Sequence, residues 1–268
     1  MSIARSVRIM GIINVTPDSF SDGGEFFDAE AARKQARNLI DQGADIIDVG
    51  GESTRPYAQT VSIDDELQRV LPVIESIRSM SDIPISIDTS KAEVARQALA
   101  IGADIINDVS AVREDPEMIG VVKQSSGELV IMHLQCTPGT MQFAPHYDDV
   151  VVEVISFFKE RLAFLDDAGI DPTRVIIDPG IGFGKKLEHN LQLLNNLDRL
   201  SELNRPVLLG HSRKRFLGDL TGLDADQRDS VSSVVSALSL EKNVSIFRVH
   251  DVAATRQALA VARAIRTA

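Results

Sequence analysis

The chain carries one short theme twice, as DQGADIID at residues 41–48 and AIGADIIND at residues 100–108. In each copy a glycine, Gly43 or Gly102, follows a helical stretch, where a left-handed cap favours a residue without Cβ. A pair of isoleucines then runs into Asp48 or into Asn107–Asp108. An apolar run without alternation suits a parallel strand covered on both faces, so each passage reads as one helix-to-strand unit, reused. Gly169 marks another helix end of the same kind.

Working outward, the pattern predicts strands at Arg8–Ile13, Ile46–Val49, Ile85–Ile87, Ile105–Ile106, Leu129–Met132, Val175–Ile177, Val207–Leu209 and Ile246–Val249. Polar groups close these runs at Asn14, Asp48 (then Glu52), Asp88, Asn107–Asp108, His133, Asp178, His211–Ser212 and His250, the seventh one residue late. Packing alone does not explain polar residues at the ends of runs that want burial. If the strands close into a barrel, all eight ends converge on the face where barrel enzymes keep their chemistry. Helical periodicity fills the gaps: Leu67, Val70, Leu71, Ile74 and Ile77 form one stripe. Val151, Val154, Ile155, Phe158, Leu162 and Leu165 form a second, and Ala254, Ala258, Val261 and Ile265 a third. Asp115-Pro116 predicts a helix N-cap followed by proline, and Pro72 predicts a kink in its helix or a break in its hydrogen-bond ladder.

Two small domains, or an open doubly wound sheet, are the alternatives. No G-x-G-x-x-G follows the first strand and no Pro/Ser-rich linker divides the chain, which favours one α/β domain over residues 1–268, a single (β/α)8 TIM barrel. The 268 residues suit that fold, which needs about 250. No apolar run reaches the roughly 18 residues that span a bilayer, and the N-terminus reads straight into a strand, so a cytoplasmic location is expected. The lone Cys136 excludes an internal disulfide. A net charge of −11 argues against nucleic acid or an anionic membrane as partner. Yet Arg55, Lys185, Lys186, Arg213, Lys214, Arg215 and Arg248 all follow strand-like runs, so a basic mouth on an acidic body is expected to attract a small anion.

Seven constellations carry the chemistry. The long polar segment Asn14–Gly24 follows the first strand, and Asn14 offers an amide oxygen to a magnesium ion that also holds substrate phosphates. Gly50–Pro56 sets Arg55 on a stiffened segment, where its planar fork can pair with a phosphate or carboxylate. Asp88, Asn107 and Asp178 end nonadjacent strands; buried acids are costly unless partnered, and a flat heterocycle with an amino group beside a ring N–H would satisfy a carboxylate twice. In Asp178–Lys185 three glycines allow close approach of the backbone while Phe183 can cover a ring. Gly210–Gly218 is a cationic strand-to-helix turn. Arg248 and His250 share one face of their strand and can grip one anion together. Met132, beside His133, lies against a flat ring or simply in the core. His146 and His189 read as loop or helix-surface residues, His133 as structural, and no residue stands out as a covalent nucleophile.

From IINVTPDSFSDGG (residues 12–24) to FRVHDV (residues 247–252), these motifs and their order resemble the dihydropteroate synthase family of pterin-binding enzymes, over essentially the whole chain. The resemblance implies a (β/α)8 barrel, a homodimer, sulfonamide as a class of inhibitor, and a reaction with Mg²⁺. That reaction joins 6-hydroxymethyl-7,8-dihydropterin diphosphate to 4-aminobenzoate and releases diphosphate. It further implies that Asp88, Asn107, Asp178, Gly182 and Lys214 hold the pterin, with Met132 packed on it. Asn14, Arg248 and His250 would take the diphosphate and its metal. Thr54, Arg55 and Pro56, with Phe183, Ser212 and Arg215, would form the aminobenzoate site, and Asp88, Asp178, Lys214 and Arg55 would carry the catalysis. Cys136, Arg215 and Tyr57 depart from residues common in the family. A pterin-dependent corrinoid methyltransferase domain and a non-catalytic pterin-binding paralogue are the rival readings. The first would not need the Thr-Arg-Pro segment and the cationic turn together; the second would not need every anion-binding residue.

Overall fold

The structure, a computed structural model, describes residues 7–15, 24–53, 60–135, 141 and 145–268, with side chains from residue 30 onward in the first helix. Its strands are β1 (Arg8–Asn14), β2 (Ile46–Gly50), β3 (Ile85–Asp88), β4 (Ile105–Asp108), β5 (Glu128–Met132), β6 (Val175–Asp178), β7 (Val207–Gly210) and β8 (Val244–Val249). They form a closed barrel in chain order, all parallel, with β8 returning to β1. The helices are α1 (Gly24–Asp41), α2 (Ile63–Met80), α3 (Ala92–Ala100), α4 (Met118–Gln124), α5 (Val150–Asp167), α6 (Leu187–Asn195), α7 (Arg215–Thr221), α8 (Asp229–Ser239) and α9 (Val252–Thr267). The connection from β7 to β8 therefore carries two helices where the sequence suggested one.

The apolar runs look continuous because both faces are buried, but their residues still alternate. Met10, Ile46, Ile105, Val130, Ile176, Leu208 and Ile246 fill the barrel interior as one cluster. Ser86 stands opposite Ile105 and completes that layer from β3. Ile47, Val49, Ile85, Ile87, Ile106, Leu129, Ile131, Val175, Ile177, Leu209, Phe247 and Val249 face outward into the core shared with the helices. Burying each such aliphatic side chain contributes about 1.5–3 kcal/mol, and together they leave the backbone little freedom of register.

Two residues further along the inward face the character changes. The next layer is Ile12, Asp48, Asp88, Asn107, Met132, Asp178, Gly210 and Arg248, with register pairs Ile12↔Asp48, Asp88↔Asn107, Met132↔Asp178 and Gly210↔Arg248. An apolar plug thus supports a polar layer at the C-terminal mouth, the usual place for barrel chemistry.

Several local expectations shift. Gly43, Gly102 and Gly169 do adopt positive φ, at 93°, 112° and 80°. Pro72 lies inside an unbroken α2, on its solvent side, where a helix tolerates a gently opened ladder. α4 starts at Met118, two residues after the expected point, because Asp115 closes a turn by accepting the Glu117 N–H at 2.9 Å. α9 buries Val252, Thr255 and Leu259, leaving Val261 and Ile265 60% and 75% exposed, so the stripe at Ala254, Ala258, Val261 and Ile265 is not its core face. His189 is buried in the first turn of α6, where its Nδ1 accepts the Lys186 N–H at 3.2 Å, and is not on the surface.

Candidate active site

Period-two alternation sorts the strand-end polar residues into two sets. Asn14, Asp48, Asp88, Asn107, Asp178 and Arg248 fall on inward positions and meet at the mouth, and His250 continues the inward series of β8 just past its end. Asp108, His133 and His211 fall on outward positions. Asp108 accepts the N–H groups of Ser110 and Val112 at 2.8 and 2.9 Å and shapes the β4α4 turn. His211 is buried against α8, with Nε2 2.9 Å from the Ser232 carbonyl and 3.0 Å from Ser236 Oγ. Not all eight polar ends therefore converge; the three outward ones brace loops.

At the centre, Arg248 bridges two carboxylates. Its Nε donates to Asp48 at 2.7 Å and its Nη2 to Asp88 at 2.6 Å. Asn107 donates its amide to the other Asp48 oxygen at 3.4 Å. Burial pushes the Asp88 carboxyl up to about 7, against the opposing pull of the Arg248 guanidinium. Arg248 itself is held above the ordinary arginine range, since Asp48 and Asp88 outweigh the cost of its burial. Asp48, named among the strand ends but given no role in the sequence, shares the inward parity of the chosen acids and joins them through Arg248 and Asn107.

On the opposite wall, Asp178 accepts the Gly180 N–H at 2.7 Å. Its pKa is raised by burial, with Lys214 pulling the other way. Lys214 reaches across to the Ile181 carbonyl and lies 4.2 Å above the Phe183 ring, a cation–π contact. Burial brings its ammonium down to about 8, although Asp178 favours the charged form. Gly182 has a φ of +83°, a conformation that side-chain-bearing residues rarely adopt, and a Cβ there would press on Lys214 Cδ at 3.0 Å. Gly210 leaves the space beside Asp178 open, since a Cβ there would sit 3.3 Å from the carboxylate. Met132 is buried with Val109, Leu134 and Met141, and Phe183 packs against this group. Ser212 fixes His250 from both sides, with Oγ 3.0 Å from the ring Nδ1 and accepting the His250 N–H at 3.2 Å.

The basic mouth does not materialise among the described residues. Lys185 is buried, its Nζ bonded to the Gly180 and Phe183 carbonyls at 2.9 and 3.0 Å and to His133 Nδ1 at 2.9 Å, and so knots the β6α6 turn from within. Burial drives its pKa well below the usual lysine value. Arg213 is paired with Asp229 at 2.6 Å. Arg215 is 90% exposed beside Asp219, so its side chain is not brought into the site. Lys214 and Arg248 face the mouth, beside the carboxylates of Asp48, Asp88 and Asp178. Thr54, Arg55, Pro56, Tyr57, Cys136 and the polar segment beyond Val15 lie outside the described residues.

A closed barrel with an acid-rich layer at its C-terminal mouth and an arginine paired to two of those acids has the architecture of the small-molecule barrel enzymes. A model of the pterin binding enzyme family matches residues 10–250. Dihydropteroate synthase of Escherichia coli K12 is 45% identical over 261 residues, 97% of this chain and 92% of that one. The Yersinia pestis dihydropteroate synthase, solved with a sulfonamide drug complex, superposes with a TM-score of 0.93 at 39% identity, covering 100% of this chain and 97% of that one. The Xanthomonas albilineans enzyme, solved with 4-aminobenzoic acid, gives a TM-score of 0.92 at 49% identity, over 98% and 94% of the two chains. The chain belongs to the dihydropteroate synthase family of pterin-binding enzymes.

Proposed function

We propose that the mouth seats 6-hydroxymethyl-7,8-dihydropterin diphosphate with its ring on the acids and its diphosphate on Arg248 and His250, and that 4-aminobenzoate then takes the place of the diphosphate. The observation that carries this reading is the inward layer itself: Asp88 and Asn107 are paired on the adjacent strands β3 and β4, not on nonadjacent ones as expected, and Asp178 joins them from β6, with Met132 and Phe183 read as apolar walls. A carboxylate at Asp178 can accept from a ring amino group and the adjacent ring N–H, while Lys214 donates to a ring oxygen or nitrogen.

The bond to break joins the pterin CH₂ to a diphosphate oxygen, and its electron pair leaves with the diphosphate. The positive charge left on carbon spreads into the dihydropterin ring, where Asp88 and Asp178 oppose it electrostatically. Arg248 binds its two acids through Nε and Nη2, and its Nη1 makes no hydrogen bond to any described residue, so that edge can hold the departing anion. The aniline nitrogen then forms the C–N bond with its lone pair and passes one N–H proton to water or the released diphosphate. No step needs a protein nucleophile. Thr54, Arg55 and Pro56 are assigned to the aminobenzoate together with Phe183 and Ser212. The described residues contain no cluster of three or more metal-ligating His, Cys, Asp or Glu side chains. The donor chemistry therefore fits a magnesium ion bound mainly by the diphosphate, with Asn14 adding one amide oxygen; when bound, Mg²⁺ would neutralise leaving-group charge.

This arrangement requires Asp88 ionised and Lys214 charged. With Asp88 at about 7 and Lys214 at about 8, kcat/KM for the pterin substrate is expected to fall both below about 7 and above about 8. Lys214→Arg, which stays charged, should remove the alkaline limb while lowering the maximum. A flat profile over pH 6–9 in the parent would mean these groups do not hold the substrate.

The homodimer implied by the family resemblance is assigned to the face made by α8 and α9, which pack side by side. It is supported by Val234, Leu238, Val261 and Ile265, exposed by 55%, 71%, 60% and 75%. Leu238→Glu combined with Ile265→Glu should convert the particle to a monomer in sedimentation velocity; an unchanged dimer would place the interface elsewhere. No helix among the described residues is long and apolar enough to cross a membrane.

A further inference from the structure

The turn that carries Ser212 and Lys214 into the site is fastened from behind by the start of α8, through contacts that the proposed mechanism does not use. After β7 the chain makes a four-residue turn, closed by the Lys214 N–H donating to the His211 carbonyl at 3.3 Å. Its members divide by direction. Ser212 meets His250, and Lys214 meets Ile181 and Phe183. His211 and Arg213 turn the other way, onto α8. Arg213, third in the turn, has a φ of +59°. Glycine fills such a place most readily, and any other residue reaches it against a preference of roughly tenfold.

Three side chains at the start of α8 hold Arg213 there. Asp229 accepts its Nε and Nη2 at 2.7 and 2.6 Å, one carboxylate oxygen for each nitrogen. Ser232 Oγ accepts the Arg213 N–H at 3.1 Å while donating to the Arg228 carbonyl at 2.7 Å. Arg228, just before the helix, donates Nη1 to the Arg213 carbonyl at 3.1 Å and Nε to the Leu223 carbonyl at 2.9 Å. The backbone of Arg213 is therefore held at both its N–H and its carbonyl, and its side chain at two points.

Stability does not account for the ion pair. The Arg213 and Asp229 side chains are 36% and 24% exposed, and pairs this open to water stabilise a fold little. A forked contact of this kind fixes direction more than it adds energy. Direction matters here, because the neighbours of Arg213 on both sides face the mouth. A reversal of φ at Arg213 would rotate one of them against the other, so Ser212 and Lys214 would not both keep their places.

We propose that Asp229 is a positioning residue for the pterin substrate. By gripping the Arg213 guanidinium it keeps that residue left-handed, and so keeps Lys214 at the ring site and Ser212 against His250. This rests on the assignment of Lys214 and His250 to dihydropterin diphosphate. The role belongs to the conformation and not to the charge. A residue that takes positive φ unaided should therefore make Asp229 dispensable.

The test is steady-state kinetics on the full chain carrying Asp229→Ala, Arg213→Ala, Arg213→Gly, or Asp229→Ala together with Arg213→Gly, beside Lys214→Ala. Asp229→Ala and Arg213→Ala are each expected to lower kcat/KM for dihydropterin diphosphate about tenfold, with thermal midpoints within about 4 °C of the parent. Arg213→Gly, which lacks the same ion pair, should stay within about threefold of the parent. The double variant should match Arg213→Gly and exceed Asp229→Ala alone, so that a second substitution repairs the first. General loosening of the fold predicts the reverse order, since glycine adds freedom to the chain. Unchanged kcat/KM in Asp229→Ala, equal losses in Arg213→Gly and Arg213→Ala, or a double variant no better than Asp229→Ala would overturn the proposal. If either alanine variant fails to fold, the other, compared with its glycine counterpart, decides in the same way. Lys214→Ala separates the two claims. If it lowers kcat/KM and Asp229→Ala does not, the positioning role alone fails. If Lys214→Ala has no effect, the assignment of Lys214 fails, and the role proposed for Asp229 falls with it.

Discussion

Arg248→Ala is expected to lower kcat/KM for dihydropterin diphosphate by about 10³-fold or more. Removing one partner of a buried pair costs about 3–5 kcal/mol, because the other charge is stranded. Here two are stranded: Asp48 is fully buried, Asp88 nearly so, and both are bonded to the one guanidinium. The variant also loses the edge assigned to the leaving diphosphate, an interaction that strengthens as charge develops and so acts on kcat. Binding of free pterin, measured by calorimetry, should weaken far less than binding of the diphosphate substrate. Equal losses for the two ligands would mean that Arg248 serves the acids alone. The deficit in stability should depend on pH. Without Arg248, the pKa of Asp88, already raised by burial, moves higher still. Protonation then relieves the repulsion in acid, and the variant loses stability as pH rises through that folded-state value.

Asp178→Asn should reduce kcat/KM to a similar extent, about 10³-fold, by a different route. The substitution keeps the shape but replaces an acceptor oxygen with an N–H₂ group, which would face the ammonium of Lys214 and any ring N–H donors. Sites built to hydrogen-bond one pattern reject its mismatch by about 10⁴–10⁵ at the upper end. The Gly180 N–H, 2.7 Å from the carboxylate, would still find the remaining oxygen, so the β6α6 turn should survive. Free pterin and the diphosphate substrate should lose affinity together, in contrast to Arg248→Ala. Retention of free-pterin binding to within about tenfold would remove Asp178 as the ring anchor.

The strands were legible in the sequence because an apolar run bounded by glycine and a polar residue has few other uses. Seven of the eight observed strands begin within one residue of the expected start, and β8 begins two residues earlier. The acids of the site were legible for the same reason, since a carboxylate ending such a run has to face something. What was not legible was which way each polar end turned. His133 and His211 end their runs as plainly as Asp178 does, yet one residue of phase sends them outward, and that phase appears only when Met132 and Gly210 are known to point inward. Lys185 shows the limit of charge as a guide. Sequence places it in a turn, where lysines are usually solvated, whereas three positive-φ glycines (Gly180, Gly182 and Gly184) curl that turn until its carbonyls surround the ammonium. Asp48 could have been found by extending the period-two count from Ile46, which predicts the same inward face. Lys91, which bonds both Glu52 and Glu66, could not, because the three residues are 14 and 25 residues apart in sequence and meet only through α2 and the turn after β3.

The central claim is that one slot holds the pterin while its diphosphate departs and an arylamine arrives. It is tested most directly by single-turnover mixing of the chain with dihydropterin diphosphate and Mg²⁺, with and without 4-aminobenzoate, following diphosphate and dihydropteroate together. With the amine, the account predicts dihydropteroate and diphosphate in equal amounts; without it, diphosphate should still be released, more slowly, as water captures the pterin cation. Diphosphate release that strictly requires the amine would remove the cation from the mechanism. A well-folded preparation that forms no dihydropteroate would contradict the account as a whole.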